Sequence, residues 1–172
     1  MSLKDYTLAE VPGKKLEVND QFPDFSFYTH NFEKVSLSSL PQKIKVIMTL
    51  ASISGSVCSL QLKKLSEQLE ASHNVLLTIS YDSPIYTAQF SAENKCHNAI
   101  NFSLAGSGAA GTEFLKTLGI YVPEAEFLCY RSIFVIDANN KILYVEYAPK
   151  LKTGLNLEAV NQFIDSHLKT HQ

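Results

Sequence analysis

Near-continuous apolar runs alternate along this chain with stretches at helical spacing. Val46-Ile47-Met48-Thr49-Leu50 and Val75-Leu76-Leu77-Thr78-Ile79-Ser80 have the length and β-branched content of buried strands. Tyr130-Arg131-Ser132-Ile133-Phe134-Val135-Ile136 is a third such run, and Ile142-Leu143-Tyr144-Val145-Glu146-Tyr147 returns from it through an Asp137-Ala138-Asn139-Asn140 hairpin turn. Between the first two runs, Gln61 to Ala71 reads as a helix. Asp82-Ser83-Pro84 starts another, with a capping side chain and a proline in its first turn, and this helix runs to about Glu93. Ala99-Ile100-Asn101-Phe102 is short and extended. Thr112 to Lys116 is a short helix closed by Gly119, and Leu157 to Leu168 is an amphipathic closing helix. Upstream, the alternation Tyr6-Thr7-Leu8-Ala9, the Pro12-Gly13 turn and Leu16-Glu17-Val18 predict a hairpin. Phe25-Phe27 and Val35-Leu37 are short extended pieces about a Thr29-His30-Asn31 turn, and Ser38-Ser39 starts a brief helical turn.

The order is thus an N-terminal β-hairpin, βαβαβ, a helix, a β-hairpin and a helix. It predicts an α/β chain with a central mixed sheet flanked by helices, in the order of a thioredoxin-like fold. The chain has 172 residues, 45% of them hydrophobic, which suits one domain over 1–172. A net charge of −2 gives no electrostatic footprint for nucleic acid. No apolar run approaches a membrane span, and the first residues lack an apolar signal core, so a cytoplasmic location is expected.

The cysteine count fits a few reactive or buried thiols. Three cysteines make neither a disulfide framework nor a zinc set, and the five histidines show no ligand spacing. Cys58 lies between the 46–50 strand and the following helix. A sulfur at a helix start sits near unpaired backbone N–H groups and the positive end of the helix dipole, which favours the reactive thiolate. Arg131, the only arginine in the chain, opens another strand. A guanidinium there suits a site that binds a thiolate and a peroxide. Gly106-Ser107-Gly108-Ala109-Ala110-Gly111 matches a dinucleotide fingerprint by its letters, but it sits late and outside a first βαβ unit, so it reads as a small-residue loop.

Together Phe22-Pro23-Asp24-Phe25, Val35-Ser36-Leu37, Val57-Cys58 with Gln61 and Lys64, Leu77 through Pro84, Ala88-Gln89-Phe90, Arg131 and Phe134-Val135-Ile136-Asp137 resemble the thiol peroxidase branch of the peroxiredoxins. The resemblance implies that Cys58 is the peroxidatic cysteine, oxidised to a sulfenic acid by hydrogen peroxide or an organic hydroperoxide. Arg131 would hold the thiolate and the peroxide. It further implies a homodimer recycled by thioredoxin or another thiol reductant, with no cofactor and no metal.

Three positions depart from the family pattern. Ala51 stands for the loop proline, and Gly55 for the threonine whose hydroxyl bridges thiolate and peroxide; Ser54 and Ser56 flank that vacancy as substitute hydroxyls. A lost hydrogen bond to a charged partner costs about 1.5–3 kcal/mol, one to two decades of rate. Ser91 stands where the resolving cysteine is usual. Cys96, five residues on, would face about 140° away from it in a continuous helix. Cys129 is the other candidate, because two residues before Arg131 an extended strand presents both on one face. The alternative function is a catalytically impaired relative acting as a redox sensor or binding scaffold.

Overall fold

The computed structural model describes residues 4–52, 59–93, 99–125, 128–153 and 155–171, without the side chains of 59–63 and 168–171. The strands are β1 (Ser26–Thr29), β2 (Lys34–Ser36), β3 (Lys45–Thr49), β4 (Val75–Ser80), β5 (Ala99–Ser103), β6 (Ser132–Ile136) and β7 (Ile142–Tyr147). The helices are α1 (Ser59–Ala71), α2 (Pro84–Glu93), α3 (Ala109–Leu118) and α4 (Leu157–His171). One mixed sheet holds the strands in the order β2-β1-β5-β4-β3-β6-β7. β3, β4 and β5 run parallel at its centre, and β6 returns antiparallel against β3.

The apolar runs are near-continuous because both sheet faces are covered. Alternate residues of one strand enter opposite cores. Ile47, Leu77, Ile79, Phe102 and Phe134 pack with Phe22, Phe25 and the α3 residues Phe114, Leu115 and Leu118. Val46, Met48, Leu76, Ile133 and Val135 face Leu65 and Leu69 of α1 and Leu157, Val160 and Ile164 of α4. Phe25 anchors the first layer with ring centroids 5.0 Å from Phe102 and 5.1 Å from Phe114. No described helix is long and apolar enough to cross a membrane.

The hairpin expected over residues 6–18 does not form. Leu8–Glu10 is a 3-10 turn instead, with the Glu10 carboxylate accepting the Thr7 N–H at 3.1 Å and the Thr7 hydroxyl at 3.0 Å. The partners of this segment lie far along the chain. Thr7 bridges Lys150, Gln21 bridges Lys141, and both backbone groups of Ile142 bond to Asn19 and Asp20. It is a strap across the start of β7, and its alternating pattern records burial of Tyr6 and Val11 rather than local pairing. The first hairpin of the sheet is β1–β2, from the two extended pieces predicted around residues 25–37. Ala109, Ala110 and Gly111, expected in a loop, form the first turn of α3, which ends at Gly119 in the left-handed conformation. The strand expected from Tyr130 begins at Ser132.

Candidate active site

Parallel strands expose their C-terminal ends together, and open sheets of this kind place ligands there. Here β3 ends at Thr49, and the chain passes Ala51 and Ser52 toward the Cys58 segment; α1 begins at Ser59, one residue after Cys58. Cys58, Ser54, Gly55 and Ser56 lie outside the described residues, as does Cys96. What is described is the frame around them.

Arg131 belongs to that frame through strand register. β3 and β6 pair Thr49 with Ser132, so Arg131 precedes the last paired residue at the edge where β3 gives way to the cysteine segment. Its backbone is held from several sides. The Tyr130 N–H donates to Ile120 O at 3.1 Å, and the Ala148 N–H donates to Arg131 O at 3.0 Å. The Thr49 hydroxyl donates to Tyr130 O at 2.8 Å, and the wholly buried Tyr130 ring donates its own hydroxyl to Ala148 O. The guanidinium is half-buried, and its Nε is buried with no hydrogen-bond partner among the described residues. Burial lowers its pKa and the Asp5 carboxylate opposes that shift, but guanidinium stays charged throughout the working range.

A second element at this edge is Asp82, just beyond β4. Its carboxylate accepts the Ser52 hydroxyl at 3.2 Å and the Ser80 hydroxyl at 3.0 Å. The entry to the cysteine segment is thereby tied to the β4–α2 turn. The sequence marks Asp82 only as part of a helix start. The cap itself is Ser83, whose Oγ accepts the Tyr86 N–H at 3.2 Å.

Cys129 is close in sequence to Arg131 but placed differently. It forms an isolated bridge with Tyr121 and is wholly buried in the α3-side core. Burial, with the Asp82 carboxylate adding to it, pushes its thiol far above the ordinary value.

Ser91 lies on the inner side of α2, buried, and its hydroxyl accepts from Asn101 Nδ2 at 2.6 Å. Asn101 Oδ1 accepts the Thr78 hydroxyl at 2.6 Å, directly across the β4–β5 pair. The Asn101 N–H donates to His30 Nδ1 at 3.2 Å, and Asn101 O accepts the His30 N–H at 2.9 Å. Sequence analysis does not single out Asn101. The signal available was an amide within an apolar strand, opposite a threonine in a neighbouring apolar strand.

Comparison with known proteins agrees with this architecture. The redoxin family pattern matches residues 17–163. A thiol peroxidase of Streptococcus pneumoniae is 33% identical over 148 residues, 86% of this chain and 88% of the relative. One from Bacillus subtilis is 31% identical over 147 residues, 85% of each chain. Among solved structures, a thiol peroxidase from Chromobacterium violaceum superimposes with a TM-score of 0.75 at 22% identity, covering 93% of this chain and 92% of its own. Mycobacterium tuberculosis AhpC gives 0.70 at 19% identity, covering 90% and 99%. The central parallel strands, the frame at their C-terminal ends and these relatives agree: the chain belongs to the redoxin family, in its thiol peroxidase branch.

Proposed function

We propose that this protein is a thiol-dependent peroxidase in which Cys58 is the nucleophile and Arg131 the electrostatic partner. The observation that carries the assignment is the register of β3 with β6, which holds the only arginine of the chain at the edge where the Cys58 segment departs. The thiolate attacks one peroxide oxygen. A sulfur–oxygen bond forms, the O–O bond breaks, and the second oxygen leaves as hydroxide or alkoxide that takes up a proton. Charge moves from sulfur to oxygen, so a fixed cation beside both atoms lowers the barrier. The Arg131 Nε has no partner among the described residues, which supports its reading as a donor to the peroxide. Ser54 and Ser56 supply the hydroxyls nearest in sequence to the missing threonine.

Hydrogen peroxide or a small organic hydroperoxide is the substrate in this reading, a thiol such as that of thioredoxin is the reductant, and the location is cytoplasmic. Exposed Ile85 and Tyr86 on α2 support pairing of two copies. The test is Cys58→Ser. The variant should consume no hydroperoxide while keeping its fold, and full activity would overturn the assignment. The second reading, an impaired relative that serves as a sensor or scaffold, draws on Ser91, which is built into a buried polar network where a reactive thiol is usual. It predicts a Cys58 that reacts with peroxide no faster than a free thiol.

A further inference from the structure

β3 is an apolar run that ends on a hydroxyl. Val46, Ile47, Met48 and Thr49 are all wholly buried, and of these only Thr49 carries a hydroxyl. A valine would fill nearly the same space, and a buried hydroxyl costs free energy unless it is hydrogen-bonded. The ladder itself does not require it, because strands pair through their backbones. The Thr49 hydroxyl instead reaches past the end of the ladder.

β6 pairs with β3 only as far as Ser132, opposite Thr49. Arg131 and Tyr130 lie beyond that pair. On the β7 side the chain is still held, because Arg131 O accepts the Ala148 N–H at 3.0 Å. On the β3 side the Thr49 hydroxyl stands in for a ladder donor. It donates at 2.8 Å to Tyr130 O, the carbonyl of the peptide bond that leads into Arg131. A hydroxyl has one proton to give. With that proton on Tyr130 O, the contact between the Thr49 and Ser132 hydroxyls has Ser132 as its donor. One oxygen atom thus binds the residue on each side of Arg131, and both of those residues are wholly buried.

The flanking residues are anchored away from the face that matters. Tyr130 and Phe134 lie in the α3-side core, whereas Ile133 and Val135 lie against α1 and α4. Carrying the alternation of β6 back by one residue puts Arg131 on the face that α1 covers. Cys58 immediately precedes α1.

We propose that Thr49 is a positioning residue: its hydroxyl, bound to both neighbours of Arg131, fixes the backbone from which the guanidinium is aimed. The inference rests on the peroxidase reading above, with Arg131 as the electrostatic partner. Stabilisation of moving charge requires donors held in place before reaction. A misplacement of about 1 Å can cost on the order of 10²-fold in rate. The effect of Thr49 on the reaction runs through Arg131.

The experiment is a double-mutant cycle on the full, reduced chain, read by stopped-flow loss of the Cys58 thiol with hydrogen peroxide. Thr49→Val keeps the shape and loses the hydroxyl, and its rate should fall about tenfold. Thr49→Ser keeps the hydroxyl and should recover to within about twofold of the parent. In the Arg131→Met background, Thr49→Val should cause no further loss. A merely structural hydroxyl would lower the urea midpoint and leave the rate alone. A parent rate in Thr49→Val therefore overturns the inference, as does an equal loss in both backgrounds or a Thr49→Ser as slow as Thr49→Val. Each of these leaves the peroxidase reading intact. If Thr49→Val does not fold, Ser132→Ala removes the other hydroxyl of the pair and takes its place in the cycle, with the same criteria. An Arg131→Met variant that keeps the parent rate overturns the Arg131 assignment itself, and the inference with it.

Discussion

The Arg131 edge, where we propose that the peroxide binds, and the Ser91 helix use their buried polar groups differently. At Arg131, strand register and a buried tyrosine hold a charged side chain whose Nε has no partner among the described residues. At Ser91, every polar atom of the Thr78–Asn101–Ser91 chain is spent on its neighbours. In the proposed site the first arrangement supplies a donor to the peroxide; the second spends its hydrogen bonds on architecture. A site residue and a structural residue can thus both be buried polar groups, and what separates them is whether their hydrogen bonds are already taken.

Arg131→Met should break the comparison on its reactive side. The aliphatic stem is kept and the cation is lost, so the rate of Cys58 oxidation should fall on the order of 10²-fold, read by stopped-flow loss of thiol. Its chemical denaturation midpoint should stay close to that of the parent. Asn101→Ala should show the opposite profile. It leaves the Thr78 and Ser91 hydroxyls without their buried partner, and stability should drop by about 2–4 kcal/mol in urea. The rate of Cys58 oxidation should change little beside the Arg131 effect. A variant pair in which both properties fall together would erase the distinction.

The smallest effect concerns His30. Its Nδ1 accepts the Asn101 N–H, which requires the neutral ring, and burial lowers its pKa. The unfolded chain therefore binds the proton more readily. Stability from this group is present above its unfolded pKa of about 6.5 and is lost as pH falls through the interval down to the lowered folded value. Urea midpoints should decline on acidification, and His30→Gln should flatten that part of the profile. An unchanged slope would detach His30 from the clamp.

Much of this was legible in the sequence, for identifiable reasons. β3, β4 and β6 could be read because strands covered on both faces need continuous apolar side chains, and α2 because Ser83 and Pro84 mark its start. Cys58 and Arg131 stood out because one precedes a helix and the other is the only residue of its type. The N-terminal hairpin misled because alternation reports which side chains are buried, not which backbone they pair with; Thr7 finds Lys150 rather than a neighbour. Asn101 stayed hidden because its role depends on three residues from three separate elements and on a register no local pattern specifies.

The strap over β7 has a consequence of another kind. Unpaired strand margins invite other chains to add to them. The margin at β2 is only three residues long, whereas β7 runs for six, and its first residue is already bonded to Asn19 and Asp20. Residues before β1 thus act as a built-in terminator of lateral growth. Removing them should yield a protein that still binds its central strands but sticks to copies of itself in concentrated solution.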